Sequence, residues 1–99
     1  MDVKEAGKEI KGIVLKHLGP EFKVFLFGSR ASANARKWSD FDVGIEGKKP
    51  VDFKVLGLIN EELENTNIPY KVDVVDFSRV STSFKKTALE RSKIWKKKG

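Results

Sequence analysis

Several things are missing from these 99 residues, and each absence removes a class of protein. There is no cysteine, so neither a disulfide nor a thiolate metal site can form. His17 is the single histidine, which makes a zinc site built on imidazoles implausible. Any metal bound here must sit on oxygen. No run of apolar residues approaches the length that crosses a bilayer, and the N-terminus "MDVKEAGKEI" carries acidic residues without an apolar signal-type segment. A cytoplasmic location is therefore expected. Glutamine is also absent and methionine occurs once, which with the dense Lys and Glu is a weak sign of a thermophilic source.

What is present describes one domain over residues 1–99, with 39% hydrophobic and 34% charged residues, whose single core must use most of its apolar side chains. A net charge of +6 favours polyanionic partners: nucleotides, nucleic acid or an acidic protein face. Val3, Ala6, Ile10, Ile13, Val14, His17 and Leu18 form a stripe at spacings of three and four, an amphipathic helix that opens on Asp2 and Glu5 and stops at Gly19–Pro20. His17 reads as a histidine at the edge of the core. "FKVFLF" (22–27) is short and apolar almost throughout, a strand covered on both faces. The segment from Ser29 to Lys37 predicts a short helix or turn. A second long helix runs from about Val51 to Asn65, a third strand lies in "YKVDVVDF" (70–77), and a last helix spans about 83–91. "KIWKKKG" at the end is open between an edge strand and a tail, with its lysines read as solvated. Trp38 and Trp95 read as packing residues. The order α, β, short α, β, α, β, α implies an α/β (α+β) fold, a small mixed sheet packed with helices.

The stretch "FLFGSRASANARKWSDFDVGI" (25–45) carries the chemistry. "DFDVGI" alternates, so Phe41, Val43 and Ile45 face the core while Asp40, Asp42 and Gly44 share the opposite side. Two carboxylates on one strand face repel each other unless a cation lies between them, which suggests Mg²⁺ or Mn²⁺, hard ions that complete their shells with water and phosphate. Gly28 and Ser29 supply the complement. A strand ending in glycine lets a phosphate approach the main chain closely, and serine adds a hydroxyl donor. A phosphate cradle beside a metal-binding pair suits phosphoryl or nucleotidyl transfer. Arg30, Arg36 and Lys37 are candidate phosphate ligands.

Gly-Ser after an apolar strand, followed at a distance by "DFD" between apolar residues, resembles the signature of the polymerase β-like nucleotidyltransferases. "LFGSRA" with "SDFDV" and the overall length are similar to the minimal nucleotidyltransferases, often paired with HEPN-domain proteins. The resemblance implies a polymerase β palm-like fold, with Asp40 and Asp42 holding metal and Asp73 completing the set from a later strand. Asp76 is its rival at that strand's end, and the family pattern favours Asp73. Gly28 and Ser29 would hold the β- and γ-phosphates of a nucleoside triphosphate, ATP being the expected one. One metal would activate an acceptor hydroxyl, and the other would stabilise the leaving pyrophosphate. Ser32 and Ala33 depart from the family's usual Arg-Gly, so one phosphate-side cation is missing, with Arg36 or Lys37 as substitutes. The resemblance further implies a HEPN-type toxin as partner, AMP transfer onto it, and an antitoxin role for this chain. Two other readings stay open: a module of the same fold that neutralises its partner by contact alone, and a small RNA-binding protein using its positive charge.

Overall fold

Helix α1 (Val3–Lys16) begins where Asp2 accepts a hydrogen bond from the Glu5 amide at 2.8 Å. That bond satisfies one of the first-turn amides no helical carbonyl can reach. In this computed structural model, which describes residues 1–32, 35–36 and 39–99, the α1 stripe of Ala6, Ile10, Ile13 and Val14 is buried. The readings that fall on Ala33, Lys37 and Trp38 lie outside the described residues. Helix α2 (Phe53–Glu64) is capped by Asp52, whose carboxylate accepts from the Lys54 amide at 2.8 Å. Val51, which the pattern assigns to this helix, instead precedes it and is buried in the core. Lys16 and His17 at the end of α1 reach Glu62 on α2 at 2.6 and 2.9 Å, so the histidine fastens two helices at the edge of the core.

The strands are β1 (Lys23–Phe27), β2 (Phe41–Glu46), β3 (Val72–Asp76) and β4 (Lys93–Lys96). They form one sheet in the order β3-β2-β1-β4, with β1 antiparallel to both β2 and β4 and β3 parallel to β2. The ambiguous C-terminal segment is thus a strand. Lys97 and Lys98 are exposed, but Lys96 is not simply solvated: its ammonium donates to the carbonyls of Gly19, Pro20 and Phe22 at 3.3, 3.1 and 2.8 Å. Three carbonyls in one corner disperse the charge that would otherwise drive the side chain into water.

Each face of the sheet has its own core. Val24 and Leu26 of β1 and Phe41, Val43 and Ile45 of β2 pack under α1 and α2, joined by Ile59, Leu63 and Val51. On the reverse face Phe25, Phe27 and Phe77 form a smaller cluster covered by α3 (Thr82–Leu89), whose Phe84 ring lies 6.2 Å from that of Phe27 and 5.8 Å from that of Phe77. Gly44 is required here because a Cβ on it would overlap the Phe25 ring. The aromatic cluster fills only part of the reverse face. At the end of the sheet where β1 finishes and β2 and β3 start, that face carries the aspartates.

Candidate active site

Register, more than any single motif, assembles the site. Phe27 pairs with Asp42 across β1 and β2, and Asp42 pairs with Asp73 across β2 and β3. Because β2 and β3 run parallel and side chains alternate, both carboxylates stand side by side on the reverse face. Burial, the neighbouring Asp73 and then the Asp40 charge all push the Asp42 carboxyl above its ordinary value, against a smaller opposing pull from Lys71. Asp73 is about half exposed and lies 3.9 Å from the Lys71 ammonium.

Gly28 fits under this pair for two reasons. Its φ is +72°, a region that strains any residue with a Cβ, and a Cβ built there would overlap Asp42 Oδ2. The chain then makes a single 3₁₀ turn, Gly28–Ala31, where the pattern allowed a short helix or turn. Ser29 follows Gly28 on the exposed surface.

The other expected site residues are distributed differently. Asp40 stands just ahead of β2, exposed, and among the described residues no three carboxylate or imidazole side chains gather closely enough to hold an ion by themselves. Asp40 lies outside the strand ladder that aligns Asp42 with Asp73, and it acts on Asp42 through its charge. Arg30 turns toward the opposite side of β2. Its Nε donates to the Ser39 carbonyl at 2.9 Å, and its guanidinium lies 5.0 Å from the centre of the Phe41 ring and 4.9 Å from that of Tyr70. Stacking on two rings that pack with the main core brings this arginine into service as a brace for the 28–39 loop. Arg36 is exposed, and its amide donates to Ser39 Oγ at 2.9 Å.

Asp76, the rival of Asp73, is buried on the α2 side. Its carboxylate accepts from the Val51 amide at 2.7 Å, the Ser78 amide at 3.0 Å, the Ser78 hydroxyl at 2.7 Å and Arg79 Nε at 3.1 Å. Burial opposes its ionisation, but bonds from Ser78, Val51 and Arg79 outweigh that and hold the carboxyl below the usual range. Arg79 also donates to the Val51 carbonyl at 2.9 Å, so this carboxylate ties α2's entry to the end of β3. Sequence reasoning overlooked Lys71, the cation beside Asp73. A Lys-x-Asp spacing puts both on one strand face, and that signal was available in "YKVDV".

The donor set suits a hard divalent cation. Two adjacent carboxylates, one of them partly desolvated and held against its neighbours' charge, offer oxygen ligands and leave the remaining positions to water and phosphate. Asp42 and Asp73 are the residues that would hold such an ion.

These features coincide with a known family. Residues 8–98 match the family model described as "Polymerase beta, Nucleotidyltransferase", and the chain belongs to that family; it is a nucleotidyltransferase by membership. Among characterised relatives it is similar to the probable protein adenylyltransferase MntA of Haemophilus influenzae, at 32% identity over 86% of this chain and 75% of that one. Its fold is similar to a toxin-antitoxin crystal structure with AMP-PNP, with a TM-score of 0.66 and 22% identity over 88% of this chain and 73% of the other. It is likewise similar to a structure of a tri-AMPylated Shewanella oneidensis HEPN toxin in complex with an MNT antitoxin, with a TM-score of 0.61 and 20% identity over 91% of this chain and 72% of that one. At these identities the structures speak to the fold, a polymerase β-like nucleotidyltransferase of the minimal kind. No helix among the described residues is long and apolar enough to cross a membrane.

Proposed function

We propose that this chain transfers AMP from ATP to a hydroxyl on a HEPN-type partner protein and so acts as the antitoxin of a pair. The observation that carries the reading is the register match of Asp42 with Asp73 directly over a glycine that has no room for a side chain. The family match supplies the reaction class, and the MntA relative, named a protein adenylyltransferase, supports a protein acceptor. Asp42 and Asp73, joined by Asp40, are assigned to divalent metal, Mg²⁺ or Mn²⁺, which when bound neutralises charge on the phosphates and on the attacking oxygen. Gly28 and Ser29 are assigned to the β- and γ-phosphates, with Arg36 as a supporting cation. The acceptor oxygen attacks the α-phosphorus in line, the new P–O bond forms as the bond to the bridging oxygen breaks, pyrophosphate departs, and the hydroxyl proton passes to water. The acceptor surface is assigned to the partner.

Incubating the purified chain with its HEPN-type partner, Mg²⁺ and α-labelled ATP is expected to label the partner. Asp42→Asn should reduce labelling by about 100-fold or more, comparable to loss of one group that stabilises transition-state charge. Label transfer that survives this substitution would refute the assigned site. A second reading, restraint of the partner by contact alone, draws on Asp40 standing ahead of the β2–β3 ladder that aligns the other two aspartates. It requires that the double variant Asp40→Asn, Asp42→Asn still restrain the partner fully.

A further inference from the structure

A cavity of about 500 Å³ lies between the Gly28 turn and the last turn of α3, linked to the carboxylate pair through Gly28, which adjoins Asp42. Gly28 belongs to both: it contacts Asp42 on one side and lines the cavity on the other. Phe27 and Ala88 form apolar wall, while Ser29, Thr87 and Arg91 supply donors. Arg91 is exposed and, among the described residues, has no carboxylate partner, unlike Arg79, which is paired with Asp76. Glu90 also lines the cavity and disfavours a bare anion, so the occupant best suited to it is a polyphosphate whose charge is partly compensated by a cation.

We propose that Arg91, across this cavity from the Gly28–Ser29 turn, is a ligand of the nucleotide's terminal phosphate. The inference rests on the proposed nucleotidyl transfer and assigns a residue and a selectivity to it. With Arg30 committed to Ser39 and two aromatic rings, the Gly28 corner has room for a cation besides Arg36, and the segment just after α3 presents one across the cavity. Guanidinium binds phosphate through two parallel N–H donors, so Arg91 would favour triphosphate over monophosphate.

Calorimetric titration of the full chain with Mg-ATP and with AMP tests this without any partner or turnover. The wild type is expected to bind Mg-ATP more tightly than AMP. Arg91→Gln should weaken Mg-ATP by about tenfold or more, the size of a lost charge-assisted hydrogen bond, and leave AMP within twofold. Arg91→Lys should fall between. Thr87→Glu, which adds a carboxylate to the same cavity lining, should also weaken Mg-ATP and spare AMP. An Mg-ATP affinity unchanged in both Arg91→Gln and Thr87→Glu overturns the assignment of Arg91 while leaving the parent reading intact. Equal weakening of ATP and AMP overturns it too, placing the nucleoside in the cavity. A wild type that binds no Mg-ATP removes both proposals together.

Discussion

Asp73 and Asp76 are three residues apart on one strand, yet their surroundings are opposite in kind. Asp76, on the helix-covered face, receives hydrogen bonds from two backbone amides, a hydroxyl and a guanidinium, and its carboxyl is held below the ordinary range. Asp73, on the reverse face, stands beside Asp42, and the pair has one loosely placed lysine against two negative charges. The strand's alternation puts one aspartate on each face, and the fold neutralises only one of them. A buried charge with every lone pair satisfied is structural, whereas charge left in conflict inside a fold that could have relieved it points to a ligand.

The largest effect should come from breaking the satisfied cluster. Asp76→Ala orphans the buried Val51 amide and unpairs Arg79, which is expected to cost about 3 kcal/mol of stability, measured by urea denaturation. Because the Asp76 carboxyl is depressed, its contribution is fully present above the ordinary carboxylate value and fades as pH falls through its folded value. The difference between Asp76→Ala and wild type should therefore shrink in acid. Equal stability at neutral pH would remove the contrast between the two aspartates.

Gly28→Ala should have an intermediate effect. The left-handed backbone alone costs about 1–2 kcal/mol, and the added methyl displaces the Asp42 carboxylate, so Mg-ATP affinity should drop together with the melting temperature. Retained affinity in a destabilised Gly28→Ala would show that the glycine serves only the turn.

The smallest effect has the opposite sign. The Asp42 carboxyl is raised, so any stabilising contribution it makes is present below the ordinary carboxylate value and lost as pH rises through its folded value. Asp42→Asn, uncharged throughout, should be more stable than wild type at neutral pH by no more than about 1 kcal/mol, since water screens this half-open pair. The gain should vanish in acid, followed by thermal melts at several pH values. A variant less stable than wild type at neutral pH would mean that Asp42 is held by attraction instead of opposed by repulsion.

Most of the architecture was legible because it rests on local signals. The α1 stripe and its Asp2 cap, the apolar β1 and the alternating "DFDVGI" each fix an element by periodicity. β4 was not legible: its partner is some 70 residues away, and Ile94 and Trp95 between lysines fit a tail as well as a strand until Phe25 is placed opposite Ile94. Asp42 was legible as one of a pair, but its partner across the sheet depends on a parallel register that no short window encodes. Arg30 shows a similar limit. Basic residues near a Gly-Ser read as phosphate ligands, and only the fold reveals that Phe41 and Tyr70 compete for the guanidinium.

That clamp has a consequence for how the protein can vary. By donating to the Ser39 carbonyl, Arg30 ties together two points of the connection between β1 and β2, with eight residues of sequence in between. Exchanging them would leave both strand ends, and the aspartates that follow, where they are. The carboxylate site and the sequence of that connection can then diverge independently, with one arginine as the divide.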